Sequence, residues 1–385
     1  MNKKSDKHIL IIGAGIIGAS IAYHFSKAGK QVTIIEASTP CSGASGASDG
    51  SVSVASKRND IAIELANESK NYYEHLSENG NILEGVYSSR QTDFVITSEL
   101  EESVINTHIS KLSKYGVEVD VIKNDQLRRR YPFLSSEVKS IFKTHNEGHA
   151  LAYQVVNRFL SISNINVITH CKVQEFLYSD DQKTIVGVKT TKGTYKAETV
   201  ILANGLGAKH LQPQIELIAN RGILIITDQL GDKTVIKNSL MFASYLIEKH
   251  QFGKPETGNS KNNALVIDPL LSGQLLIGST RQHDDNSAKT ELNVVSQILK
   301  KALRYIPALV NLDVIRVFAG VRAATPDHLP YVGPVPGKSG LWIASGFEGD
   351  GICLAPLIGR EMASWILGEQ PNKLLLKLSP NRFSV

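Results

Sequence analysis

The stretch from His8 to Glu36, HILIIGAGIIGASIAYHFSKAGKQVTIIE, constrains the fold of this chain more than any other. It opens with a continuous apolar run, Ile9 to Ile12, of the kind required by a strand buried on both faces. A turn with Gly13, Gly15 and Gly18 follows and leads into a helix opened by Ile16 and Ile17. In such a unit the first glycine allows the turn, the second lets the backbone approach a pyrophosphate, and the third lets helix and strand pack closely. Phosphate sits on the unpaired N–H groups of the helix start, where the peptide dipoles favour negative charge. A second apolar strand, Val32 to Ile35, ends on Glu36 and Ala37. The Glu36 carboxylate suits ribose hydroxyls and repels a 2′-phosphate. A glycine turn alone says little, but strand, helix, strand and acid in this order read as an ADP-binding unit for FAD or NAD, with NADP disfavoured.

At 385 residues the chain has room for two domains with substantial cores, and 42% hydrophobic with 21% charged residues is ordinary for a soluble protein. Its 42 basic and 37 acidic residues are interspersed, so the net charge of +5 reads as a solvated surface and no nucleic-acid partner is expected. The densest basic run, Arg128-Arg129-Arg130, reads as a helix end, where cations suit the dipole. Cys41, Cys171 and Cys353 form no CxxC pair, which suggests no metal site and fits a cytoplasmic protein. Lys3, Lys4 and Lys7 before an apolar run resemble a leader, yet that run is the first strand of the nucleotide unit. No stretch approaches the roughly 20 apolar residues that span a bilayer.

After Glu36 comes a loop of small and hydroxyl residues, Ala37 to Gly50, which can bring backbone and short donors close to a ligand. Residues 59–79 read as an amphipathic helix with Gly80 as its stop. Between Gly85 and Ile141 strands alternate with helices, and a second domain begins there. His145-Asn146-Glu147-Gly148-His149 has the order HxExH rather than HExxH, so it reads as a strand end and turn and not as a metal site. A helix from Ala152 and four short strands lead to Val200-Ile201-Leu202-Ala203-Asn204-Gly205, whose small residues permit close approach to a cofactor. Arg221–Thr227, Leu240–Ile247, Leu265–Asp268 and Gln274–Thr280 read as strands of one sheet, covered by a helix over 293–305. Past a Pro/Gly-rich segment, Leu341 to Ala344 is a strand before a turn with Gly346, Gly349 and Gly351 and a final helix. A second helix start of this type points to a cofactor with another polar end.

Together GAGIIG with Glu36, SGASGAS, TVILANG, RGILIITDQ, GVRAATPDHLPYVGPVP and GLWIASGFEGDGICLAPLIGREMASWILG resemble the FAD-dependent D-amino acid oxidase superfamily. The likeness spans nearly the whole chain and includes glycine oxidase, sarcosine oxidase and the β subunits of bacterial opine and hydroxyproline dehydrogenases. It implies an α/β plus α+β chain: a discontinuous Rossmann-like FAD-binding domain at 6–85, 146–218 and 322–370, and an antiparallel-sheet substrate domain at 86–145 and 219–321. By the same resemblance Gly13, Gly15, Gly18 and Glu36, with Ile16, Ile17 and Ala37 beside them, hold ADP, while Ser42, Ser45, Gly46, Ala47 and Ser48 line the pyrophosphate and flavin. Val173 meets the adenine side, Ala203 and Gly205 lie beside the cofactor, and Gly346, Glu348, Gly349, Asp350, Gly351 and Ile352 surround the flavin pyrimidine. Arg322 matches the arginine that fixes the substrate carboxylate, and Tyr245 falls near tyrosines that close the substrate pocket.

Three departures bear on activity. Ala323 stands where the family has proline, Phe347 replaces a common histidine, and Leu276 stands where sarcosine oxidases carry the lysine that assists reaction with oxygen. SDGSVSVASKR, SYLIEKH and IGSTRQ look more like the dehydrogenase β subunits. The resemblance therefore implies an FAD enzyme that oxidises the C–N bond of an amino acid or secondary amine by hydride transfer from Cα to flavin N5. Its alternative is an FAD-bearing subunit of a hetero-oligomeric complex that passes electrons to a partner. A NAD-dependent dehydrogenase is a third reading, against which the second glycine-rich helix start speaks.

Overall fold

The computed structural model describes residues 8–162, 164–229, 236–250 and 264–383; Lys3, Lys4 and Lys7 lie outside them. The buried run Ile9–Ile12 forms strand β1, the glycine turn leads into helix α1 at Ile16–Lys27, and Val32–Ile35 forms β2. β1 lies inside a six-stranded sheet ordered Tyr331–Pro334, Leu341–Ser345, Thr199–Leu202, β1, β2, Ile165–Ile168. Its neighbours β2 and Thr199–Leu202 both run parallel to it, with Ile11 opposite Ile34 and Ile201. All four residues of β1 are buried, as a strand covered on both faces demands.

α1 packs against the helix Gly351–Ile366, and the contact needs glycine: a Cβ on Gly359 would lie 2.2 Å from Ser20 Oγ. Helix α2, Asp60–Ser77, starts on Asn59, whose side chain accepts from Ala62 N–H at 2.8 Å. From α2, Tyr73 donates to Ile352 O at 2.7 Å and Ser69 to Cys353 O at 2.6 Å, which fixes where the Gly351 helix begins.

The second large element is a ten-stranded sheet with the main order Gln282–His283, Ile218–Gln229, Gln274–Gly278, Val266–Pro269, Ser239–Phe242, Tyr87–Ile96, Ser140–Ala150, Ser51–Val52. Val314–Ala324 pairs along the full Ile218–Thr227 stretch. The sheet is antiparallel except that Ser239–Phe242 runs parallel to Tyr87–Ile96. Helix Leu292–Tyr305 covers it with Val294, Val295, Ile298 and Ala302. A three-stranded sheet spans 173–196.

Two stretches differ from the sequence reading. His145 to His149 is no turn but the interior of the strand Ser140–Ala150, and Gly148 is there for space, since a Cβ would lie 2.3 Å from the Tyr87 ring. Leu240–Ile247 is a strand only to Phe242; from Ala243 to His250 the chain is helical, which carries Tyr245 and Lys249 toward the site. The apolar run Leu240-Met241-Phe242 hid that change of period.

Candidate active site

One elongated cavity of about 810 Å³ runs between the two large sheets, near the top of the ~300–1,000 Å³ common for small-molecule sites. At one end it is lined by Gly13, Gly15, Ile16 and Ile17 from the first glycine turn, with Glu36, Ala37 and Val173 beside them. Gly15 is the N-cap of α1, and the first turn of that helix carries no acidic residue, so no carboxylate of its own competes with an anion there. Glu36 accepts from Ala14 N–H and from Ser38 N–H, both at 2.8 Å, so each oxygen keeps a lone pair for a hydroxyl.

The middle is lined by Ser42, Ser45, Ala47, Ser48, Ala203 and Gly205. Ser45 Oγ accepts from Ile16 N–H at 3.1 Å, and Ser48 Oγ donates to Ser45 O at 2.7 Å, which ties the small-residue loop to the helix start. Gly346, Glu348, Gly349, Gly351, Ile352, Tyr245 and Arg322 line the far end. Gly18, Gly46 and Asp350 do not face the cavity, for separate physical reasons. Gly18 packs α1 on the turn, its missing Cβ 2.0 Å from Gly13 O, and the missing Cβ of Gly46 would be 2.1 Å from Cys41 O. Asp350 instead pairs with two lysines.

That far end carries a dense charge network. Asp350 Oδ1 accepts from Lys57 and Lys249, each at 3.0 Å. Burial alone would raise the Asp350 carboxyl, but the two ammonium groups hold it well below the ordinary range. The lysines respond differently: Lys57 is pushed up by Asp350 against the effect of burial, whereas burial and Lys57 itself bring Lys249 down. Glu348 takes Arg58 at 3.0 Å, Arg281 and, at 3.5 Å, His328; these outweigh burial and keep it ionised. Arg281 also donates to Tyr245 OH at 3.1 Å. Burial would raise that phenol, but Arg281, Lys249 and Arg322 bring it below its ordinary value.

Arg322 donates to Ser279 Oγ at 2.7 Å and Thr280 O at 3.2 Å, and it makes no ion pair with a carboxylate among the described residues. Its guanidinium occupies space that only a glycine leaves, since a Cβ on Gly222 would lie 2.4 Å from Nη1. Asp49, Lys57, Lys249 and Arg281 were missed by sequence reasoning as site residues, although SDGSVSVASKR, SYLIEKH and IGSTRQ contain them. A charge set among small or apolar residues was the available signal. Among the described residues no group of three or more His, Cys, Asp or Glu could hold a metal ion.

An acid for ribose, a neutral helix start for a pyrophosphate and a second, cation-rich helix start at the other end fit a dinucleotide with a flavin as its second half, and so define an FAD-dependent oxidoreductase. The chain belongs to the DAO family of FAD dependent oxidoreductases, whose model matches residues 8–365. It is 25% identical over 370 residues to a glycine oxidase of Bacillus licheniformis, covering 96% of this chain and 94% of that one. Its fold superposes on glycine oxidase from Geobacillus kaustophilus and on L-proline dehydrogenase from P. horikoshii, each with a TM-score of 0.84, 22% identity and 98% of both chains covered.

Proposed function

We propose that this FAD enzyme oxidises the C–N bond of an amino acid or secondary amine, with Arg322 fixing the substrate carboxylate. One observation carries the reading: a half-buried guanidinium that lines the cavity, oriented by Ser279 and Thr280 and left without a carboxylate among the described residues. A planar guanidinium donates two parallel hydrogen bonds to a carboxylate, which sets both the position and the angle of the substrate. FAD would supply the two-electron chemistry there, as the acceptor at N5 of hydride from the substrate Cα, and the imine product would be hydrolysed by water. The protein's part is to bind, orient and exclude water, and Tyr245, buried against Arg281, helps close the carboxylate end. Relatives named glycine oxidase and, in humans, mitochondrial dimethylglycine dehydrogenase support an amine or amino-acid substrate.

The residues named along the cavity are the proposed FAD contacts, with 6–85, 146–218 and 322–370 as the cofactor domain and 86–145 and 219–321 as the substrate domain. We place the enzyme in the cytoplasm, a reading supported by three free cysteines. Buried Leu276, where sarcosine oxidases have lysine, favours transfer of electrons to a partner subunit over direct use of oxygen. The test is an anaerobic titration of the yellow holoprotein with sarcosine, glycine, proline and D-alanine. Bleaching of the flavin band by one of them is the expected result; no bleaching by any amine, with oxidation by a partner complex only, would shift the assignment to an electron-transfer subunit.

A further inference from the structure

The cavity that Arg322 lines also holds a carboxylate near it. Asp49 lines it together with Arg322 and Tyr245, and is close enough to both to act on their charges. Yet Asp49 makes no ion pair with any cation among the described residues, although Arg322 also lacks a carboxylate. Its Oδ1 accepts from Ser51 N–H at 3.1 Å, and Oδ2 has no protein partner among the described residues. Two opposite charges thus line one cavity without pairing, each with hydrogen-bonding capacity left over.

Asp49 is also held rigidly, by the very motif that resembled a metal site. A carbonyl can only accept, so His149 Nε2 carries a proton and donates it to Asp49 O at 2.9 Å. Burial, aided by Arg90, pushes the His149 imidazole down to about 4, so it is a neutral donor at ordinary pH. Ala150 N–H donates to Gly50 O at 2.8 Å, and Ser51 pairs with His149 as a short strand. Two residues earlier on the same strand, Glu147 Oε1 accepts from Val54 N–H at 3.0 Å and Ala55 N–H at 2.9 Å. One strand therefore grips the loop from Asp49 to Ala55 at three points. Backbone held this firmly beside a cavity presents a side chain to a ligand.

We propose, building on the function above, that Asp49 is the subsite for the substrate nitrogen. Its free oxygen accepts from the ammonium or secondary amine whose carboxylate lies on Arg322, and His149 is the positioning residue that sets it there. An amino acid carries its own opposite charges on neighbouring groups, so a carboxylate and a guanidinium lining one cavity satisfy both of its ends. An ammonium gives one proton to water before hydride can leave Cα, and the carboxylate then stabilises the positive charge that the neutral nitrogen regains as the C–N bond is oxidised. Substrates without nitrogen, such as plain carboxylates and hydroxy acids, gain only the Arg322 half of the contact.

Anaerobic calorimetric titration of the FAD-loaded wild type and of Asp49→Asn, each with its flavin already reduced by dithionite so that no amine can be oxidised, tests this without turnover. The probes are sarcosine, glycine, proline and D-alanine, each beside a carboxylate of the same size with no nitrogen. Asp49→Asn is expected to weaken the amines about 10- to 100-fold, the worth of one charged hydrogen bond, and the nitrogen-free acids by less than about 3-fold. His149→Leu is expected to shift the amines in the same direction and His149→Gln, which keeps a donor, to restore them. Equal loss for both ligand classes, or no loss, would overturn the assignment. So would loss of flavin or of melting temperature in Asp49→Asn, because Oδ1 still accepts from Ser51 and a merely structural Asp49 would then be indicated. A wild type that binds no amine at all would overturn the proposed function as well, which separates the two failures.

Discussion

Two strand–turn–helix units meet the same cavity, and their helix starts are made of opposite materials. At the first, Gly15 caps α1, no acid sits in the first turn, and the polar neighbours are Ser45 Oγ and Glu36. At the second, Asp350 precedes the Gly351–Ile366 helix and is enclosed by Lys57 and Lys249, with Glu348 held by Arg58 and Arg281 a few atoms away. The difference suits what we propose each end holds. A pyrophosphate brings its own full charge and asks for bare N–H groups and close backbone. A flavin ring and a small substrate change charge during the reaction, and they ask for fixed cations already balanced by fixed acids. Similar local geometry thus serves two kinds of electrostatics.

Breaking the first unit should have the larger effect. Gly18→Val puts side-chain carbon where Gly13 O already lies, 2.0 Å from the missing Cβ, so the variant is expected to yield colourless or insoluble protein, read from the flavin band of the purified material. In the second unit, Lys57→Met removes one of the two cations on Asp350, and because Lys249 keeps the carboxylate paired it should cost about 1.5–3 kcal/mol near neutral pH, measured by denaturant melts. Because the folded Asp350 carboxyl lies below its unfolded value, its contribution is present above the ordinary carboxylate range and is lost as pH falls through the folded value. The gap between wild type and Lys57→Met should therefore be widest above about pH 4 and shrink in more acidic buffer. Arg322→Ala should keep its flavin and lose roughly 10²–10³-fold in kcat/KM, the worth of two charged hydrogen bonds. If flavin content fell with activity instead, Arg322 would belong to the cofactor site and the two-ended picture would fail. Smallest is Ser45→Ala, which removes one acceptor from Ile16 N–H and should cost about 1 kcal/mol, seen as several-fold weaker FAD retention in dialysis.

Legibility in the sequence followed distance along the chain. The unit from Ile9 to Glu36 could be read whole because strand, glycines and acid interact within one βαβ turn, and the Gly351 helix could be read for the same reason. The charge network could not, because Asp49, Lys57, Lys249, Arg281 and Glu348 come from four separate stretches and gain meaning only when brought together. Gly148 misled in a simpler way. A glycine between two histidines suggests a turn, yet here it makes room for Tyr87 from the neighbouring strand, a contact no local pattern encodes. The helix from Ala243 was lost because three apolar residues before it suit either period.

The contact between α1 and Gly359, needed for close packing, also sets an order of events during synthesis. The nucleotide unit at the front of the chain leaves the ribosome early, but its helix finds its partner only after some 300 further residues, on the order of tens of seconds later. Until then the face of α1 that meets Gly359 is without its neighbour, exposed to chaperones and proteases alike. Supply of cofactor would then govern how much of the protein survives its own birth, and cells short of riboflavin should hold less of the polypeptide itself as well as less of its activity.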